Sequence, residues 1–313
     1  MAVLHVINPG LLTTIQDRGR WGYQASGVPV AGPMDPRSHR LANALVGHGA
    51  DAATLEVTLI GPEVEFDDER TVVVTGAEFE LWLDGARMNM NEPRAVHAGS
   101  RLRFGRRIRG ARAYVAVGGG IDVAPVLGSR ATHVTAAMGG LDGRPVVVGA
   151  RLPLGDARQC RGAGEAGKLQ TIDIPNGRAR LRVLPGPNQE YFSGAALDAL
   201  QSASYRIAND SDRMGFRLSG PSLVHARGGD IISEATPRAG VQVPASGDPI
   251  LLMADRQTTG GYPKIATVIT ADIGLAGQLA PGDVISFRVC SARDALAALI
   301  AQERLLMAAE DRL

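Results

Sequence analysis

The 313-residue chain is predicted to be mostly β with a few helices, folded as two β-barrel-like domains. Three observations lead there. The length exceeds what one ordinary core needs, at roughly 100–200 residues per domain. The 39 Gly and 18 Pro are spread along the chain without a period, so the chain must turn often. Its apolar residues come in short alternating or continuous runs, which suit short strands joined by tight connections better than a helical bundle.

Residues 4–16 read as a strand and a turn, and the stretch 18–33 is too dense in Gly and Pro for a helix. Asp35-Pro36 then opens the first clear helix. Asp is a good N-cap, Pro fits the first turn, and Leu41, Ala42, Leu45 and Val46 recur at helical spacing before Gly47 stops it. From Leu55 the runs become strand-like, at 55–59, 71–74, 80–83, 101–104 and 113–117, separated by turn signals such as Gly61-Pro62 and Asp84-Gly85. The stretch 156–167, rich in Arg, Gly and Ala with no apolar period, marks a linker. Beyond it, 181–184 reads as a strand, Pro185-Gly186-Pro187 as a turn and 189–201 as a helix, with short strands following to Phe287. A last amphipathic helix, 292–309, is expected to turn Leu296, Leu299, Ile300 and Leu306 toward the body. The expected boundaries are an N-terminal β domain at 1–155, a linker and domain entry at 156–180, a second barrel at 181–290 and a C-terminal helix at 291–313. Three similar strings, 98–104, 148–152 and 281–287, each read as a Gly turn feeding a strand. Recurrent turn chemistry and two related barrels both account for that echo.

Composition narrows the function classes. A formal charge of +1 and 4% aromatics give neither the electrostatic footprint for phosphate backbones nor rings for stacking bases, so nucleic acid is not an expected partner. The N-terminal residues carry no basic stretch followed by a long apolar run, and no later run approaches a membrane span of roughly 18 apolar residues. The expectation is a cytoplasmic protein with no membrane contact. Cys160 and Cys290 are too few and too far apart for a disulfide framework or a Cys-x-x-Cys site. His5, His39, His48, His97, His133 and His225 show no metal-ligand spacing, so no metal is expected. There is no Gly-x-Ser-x-Gly elbow and no Walker-type loop, and Gly118-Gly119-Gly120 is followed by Ile121-Asp122-Val123-Ala124-Pro125, which opens no helix.

Of the 33 basic residues only Lys168 and Lys264 are lysines. Against such an arginine bias, a retained lysine marks either chance or a need for a compact ammonium group. Lys264 closes the most unusual segment, 251–268, in which an apolar strand enters a polar run with a Gly pair and a second apolar strand leaves. A plain hairpin needs only one or two polar residues at its tip. Two glycines allow close backbone approach to a ligand, and the flanking side chains supply donors and acceptors of several kinds. Lys264, Gln257, Asp255 and Glu234 are the expected catalytic residues. Lys264 is expected at the rim of a partly desolvated pocket, holding a substrate carboxylate or an oxyanion, and Glu234 is expected to act as a base if buried. Arg256, Thr258, Thr259, Gly260, Gly261, Tyr262 and Arg213 are expected substrate binders, joined by Gln16, Asp17 and Asp35 from the Gly-rich loop. For Asp35 the alternative is a plain helix N-cap, and for Ser211-Asp212-Arg213-Met214-Gly215 an ion-paired turn.

Six strings taken in order carry a family resemblance: Gly10-Leu11-Leu12-Thr13-Thr14-Ile15-Gln16-Asp17-Arg18-Gly19-Arg20, Gly32-Pro33-Met34-Asp35, Gly118-Gly119-Gly120-Ile121, Leu127-Gly128-Ser129-Arg130, Ser211-Asp212-Arg213-Met214-Gly215, and the run from Ala254-Asp255-Arg256-Gln257 through Thr258-Thr259-Gly260-Gly261-Tyr262-Pro263-Lys264-Ile265-Ala266. The chain resembles the biotin-dependent carboxyltransferase subunit family, also called allophanate hydrolase subunit 2, whose stand-alone members include the C-type subunit of 5-oxoprolinase and KipA. The resemblance implies a cyclophilin-like barrel in the C-terminal half. It also implies a component, inactive alone, that works with a B-type and an A-type partner in ATP-dependent opening of a lactam, 5-oxo-L-proline, to L-glutamate. Two alternatives come with it: the carboxyltransferase part of a urea-type carboxylase, and a KipA-like regulator that binds a kinase inhibitor. The chain has no biotinyl Met-Lys-Met, the nearest string being Met88-Asn89-Met90. It is therefore expected to bind no cofactor by itself, with ATP used by the complex and biotin entering only if another protein supplies it.

Overall fold

The structure, a computed structural model, describes residues 2–157 and 172–310. By contacts the chain divides into two compact units, Met1–Arg20 with Ala31–Ile174 and Glu303–Leu313, and Trp21–Val30 with Pro175–Gln302. The units are thus not contiguous in sequence, unlike the expected division. Ten residues of the Gly-rich loop fall with the second unit, and the end of the C-terminal helix falls with the first. Most of the expected linker, with Cys160 and Lys168, lies outside the described residues.

Unit 1 is built on a nine-stranded sheet. It contains β1 (Val3–Asn8), β2 (Leu12–Gln16), helix α1 (Pro36–Leu45), β3 (Thr54–Thr58), β4 (Glu63–Phe66), β5 (Arg70–Leu83), β6 (Ala86–Met88), β7 (Arg94–Val96), β8 (Arg101–Val117) and β9 (Arg151–Pro153). The order is β2-β3-β8-β4-β1-β9, with β5 pairing β6, β7 and β8. Pairs of runs that read as separate strands are single long ones here: 71–74 joins 80–83 in β5, and 101–104 joins 113–117 in β8. The β5–β8 ladder slips register between Gly76 and Leu81, and such bulges let one long strand bend and stay paired where an unbroken one would twist away. Leu4, Leu55, Val57, Phe66, Val72, Val74, Leu81, Leu102, Val115 and Leu152 fill the core beneath.

Unit 2 holds a closed seven-stranded barrel. Its elements are β10 (Arg178–Pro185), α2 (Gly194–Ser202), β11 (Ser204–Ile207), β12 (Gly215–Ser219), β13 (Glu234–Ala235), β14 (Gly240–Gln242), β15 (Ile250–Leu252), β16 (Thr259–Gly260), β17 (Lys264–Val268), α3 (Ile273–Gly277), β18 (Val284–Val289) and α4 (Ala292–Glu310). The barrel runs β10-β17-β14-β15-β12-β11-β18 and closes through the parallel β10–β18 pair, while β13 and β16 form a separate two-stranded ribbon. Leu181, Val183, Tyr205, Phe216, Val241, Leu251, Ile265 and Phe287 are buried within it. Closure pairs every barrel strand on both sides, which gives the ribbon a stiff base.

Local chemistry explains several boundaries. The expected helix at 189–201 is a short 3-10 turn at Gln189–Tyr191 followed by α2, because the Ser193 side chain accepts from Ala196 N and starts the helix afresh. The three echoed glycines, Gly99, Gly149 and Gly282, all have positive φ, so each is a left-handed turn feeding a strand. In α4 the expected inward face is only partly so: Leu306 is buried against Leu41, Leu45 and Tyr114, whereas Leu296 and Ile300 are exposed. Arg40 of α1 holds this end of the helix through Glu303 at 2.5 Å and Glu310 at 2.5 Å.

Candidate functional site

The polar run that leaves β15 returns through the ribbon and re-enters the barrel as β17. Glu234 lies opposite Gly260 and Ala235 opposite Thr259. Thr236 N to Thr258 O at 3.0 Å and Ile231 N to Gly261 O at 2.8 Å extend the pairing on both sides. The ribbon thereby carries Glu234 back onto Lys264, thirty residues later in the sequence. Lys264 Nζ donates to Glu234 Oε1 at 2.8 Å and to the Tyr262 carbonyl at 3.4 Å.

Lys264 is fully buried, so it does not sit at a rim as expected. Three contacts, from two neighbours, hold its backbone there. It pairs with Gln242 across a β14–β17 bulge, its N–H donates to Asn188 Oδ1 at 2.9 Å, and its carbonyl accepts from Asn188 N at 3.3 Å. The Pro185-Gly186-Pro187 turn is what brings Asn188 so close. A Cβ on Gly186 would lie 2.1 Å from the Lys264 carbonyl oxygen, so no larger residue fits there. Glu234, expected to act as a base if buried, is instead 41% exposed at its side chain. The Lys264 ammonium donating to it holds its carboxyl below the ordinary 4.5, opposed by partial burial and helped by a hydrogen bond from Asn188. The pair therefore presents an ionised, accessible carboxylate backed by a buried cation. Asn188 gave no signal beyond following a turn.

Asp255 is committed differently. Arg213 grips both of its oxygens, Nε to Oδ2 at 2.9 Å and Nη2 to Oδ1 at 2.8 Å, and both side chains are buried. Asp255 N to Arg213 O at 2.8 Å and Met253 N to Met214 O at 2.9 Å add backbone bonds alongside. This bidentate pair ties the start of the polar run to the entry of β12. Arg213 is thus paired with a residue forty-two positions on. Asp212 makes that turn by accepting from Met214 N at 2.7 Å. Gln257 and Thr258 are half-buried, Thr259 and Tyr262 exposed, and Gly260 and Gly261 half-buried in the ribbon. Arg256 is buried, its Nε donating to the Thr236 carbonyl at 3.1 Å.

The three residues expected from the Gly-rich loop belong to unit 1 and are occupied within it. Asp35 caps α1, accepting from Arg37 N at 3.1 Å, Ser38 N at 3.3 Å and Ser38 Oγ at 2.7 Å. Asp17 accepts from Gly19 N at 2.9 Å, Ser129 Oγ at 2.6 Å and Arg130 N, and so joins two of the strings that carry the resemblance. Gln16 donates to Thr14 Oγ1 and to the Thr132 carbonyl, both at 3.0 Å. Each of these three side chains fixes a loop.

Residues 26–289 match the family model described as carboxyltransferase domain, subdomain A and B. The chain is 40% identical over 302 residues to a protein of Escherichia coli (strain K12) named as the C-type subunit of 5-oxoprolinase, with 96% of each chain covered. A protein of the same name from Haemophilus influenzae is 34% identical over 282 residues, covering 90% of this chain and 89% of that one. Among solved structures, the urea carboxylase of Kluyveromyces lactis superposes with a TM-score of 0.93 at 31% identity, over 99% of this chain but only 29% of that longer one.

Proposed function

Because the chain belongs to the family of carboxyltransferase domains, subdomains A and B, we propose that it is the C-type subunit of an ATP-dependent 5-oxoprolinase complex, which opens 5-oxo-L-proline to L-glutamate together with B-type and A-type subunits. The observation that carries this reading is the 40% identity to the Escherichia coli 5-oxoprolinase component over 96% of both chains.

The geometry supports it at the level of chemistry. Opening a lactam adds water across an amide bond: hydroxide joins the carbonyl carbon, the C–N bond breaks, and the nitrogen takes a proton. Glu234 is the group on this ribbon able to move a proton, since it is ionised and accessible. Lys264 positions it. Asp255 and Arg213 hold the polar run in place, with Thr259 and Tyr262 exposed along it and Gln257, Thr258 and Gly261 half-buried. ATP is consumed by the complex, and this chain brings no biotin of its own.

A second reading is carboxyl transfer, favoured by the TM-score of 0.93 to urea carboxylase. In that case another protein delivers the carboxylated biotin. An omission assay separates the two. Glutamate release from 5-oxoproline with ATP is expected from this chain plus B-type and A-type subunits, and is expected to stop when any one is left out. Urea-dependent loss of carboxyl from a carboxylated biotin carrier, with no glutamate from 5-oxoproline, would replace the first reading by the second.

A further inference from the structure

Asn188 touches both members of the Glu234–Lys264 pair. It is buried, and its backbone is committed on both sides: the N–H donates to the Lys264 carbonyl at 3.3 Å and the carbonyl accepts from Tyr191 N at 3.0 Å. The turn before it is tied to the same strand, since Pro185 pairs with Ala266 and Gly186 N donates to the Ile265 carbonyl at 2.9 Å. Pro187 has a fixed φ, so little freedom is left in the approach to Asn188. The side-chain amide has one orientation that suits its partners. A backbone N–H only donates, so the atom 2.9 Å from Lys264 N is Oδ1. A carboxylate only accepts, so the hydrogen bond that the same side chain makes to Glu234 comes from Nδ2.

The last torsion of a glutamate is soft, and a single donor leaves the carboxyl free to swing about that contact. Lys264 Nζ is one donor, at 2.8 Å from Oε1, and Asn188 is the second. Two donors from separate rigid elements fix the plane of the carboxyl and leave its other lone pairs free. We infer that Asn188 is a positioning residue for proton transfer by Glu234, its amide clamping the carboxyl onto Lys264 while its oxygen holds the Lys264 backbone. The inference rests on the lactam reading above, in which Glu234 moves the proton. A purely structural account of Asn188 needs only Oδ1, which gives the buried Lys264 N–H an acceptor. The two accounts therefore part at one atom, Nδ2. Asn188→Asp keeps the oxygen and puts a second, anionic oxygen where the nitrogen stood, so it preserves the backbone clasp and sets two carboxylates against each other. Asn188→Ala removes both contacts.

The test has one readout that needs no activity and one that does. The first is a carboxyl NMR titration of the full chain, with the Glu234 signal assigned by its loss in Glu234→Gln. Lys264 is the charged group facing that carboxyl, and Gly260 across the ribbon brings none. Wild-type Glu234 is expected to titrate below 4.5, and in Asn188→Ala to move up toward 4.5. In Asn188→Asp the two carboxyls are expected to titrate as a coupled pair whose upper step lies above 4.5. The second readout is glutamate release by the assembled complex. There kcat for 5-oxoproline is expected to fall about tenfold in Asn188→Ala and further in Asn188→Asp, with KM unchanged in both. A Glu234 titration in Asn188→Asp that matches the wild type overturns the inference, as does a folded, assembled Asn188→Asp complex with wild-type kcat or with a loss confined to KM. If the wild-type complex releases no glutamate at all, the lactam reading has failed, while the titration still decides whether Asn188 holds the Glu234 carboxyl.

Discussion

Lys264→Met in the assembled complex is expected to turn over about a hundredfold or more slowly than the wild type while the barrel remains folded. Methionine nearly conserves the volume of the buried side chain but removes the ammonium that steadies Glu234. Loss of one such fixed charge contact near a reacting group costs about 3 kcal/mol of barrier. Lys264→Arg keeps the charge but forces a wider, planar group into a fully buried slot, so it is expected to be impaired as well. The pH profile tells positioning from mere damage. In the wild type the Glu234 carboxyl is held below 4.5, so its charge persists, and with it the stability of the pair, until pH falls through that lowered value. In Lys264→Met the acid limb of the rate profile should move up toward 4.5. Wild-type kinetics and an unmoved acid limb would show that Lys264 has no part in the chemistry.

Breaking the Arg213–Asp255 pair is expected to be the most destabilising change in unit 2. Arg213→Met takes the bidentate partner from a buried carboxylate, and Asp255→Leu takes it from a buried guanidinium, each at a cost of about 3–5 kcal/mol. The double variant Arg213→Met with Asp255→Leu should cost markedly less than the sum, since it removes both charges of the bidentate pair together. Urea denaturation of the four proteins measures the coupling. Simple additivity would mean that the two side chains act independently despite their bidentate geometry.

Local features of the chain were legible in the sequence. Asp35 and Pro36 announce a helix start, and the structure has α1 beginning at Pro36 with Asp35 as its cap. The stretch 251–268 reads as strand, polar run, Gly pair and strand, and β15, β16 and β17 follow that plan. What did not show were the partners. Glu234 meets Lys264 because a two-stranded ribbon has a particular register, and Arg213 meets Asp255 because β12 and β15 are neighbours in the barrel. Neither register is written within a short window. Lys264 was expected at a rim because lysine usually keeps its ammonium in water, a habit that its ion pair with Glu234 overrides here.

Glu234, steadied by Lys264, is expected to carry the proton chemistry of lactam opening on this chain. Its most direct measure is single-turnover release of glutamate from 5-oxoproline by a complex assembled with Glu234→Gln, a change that keeps the shape of the side chain and removes its charge. The account predicts normal assembly and substrate binding with a release rate lower by about a hundredfold or more. Release at the wild-type rate from that complex would contradict it.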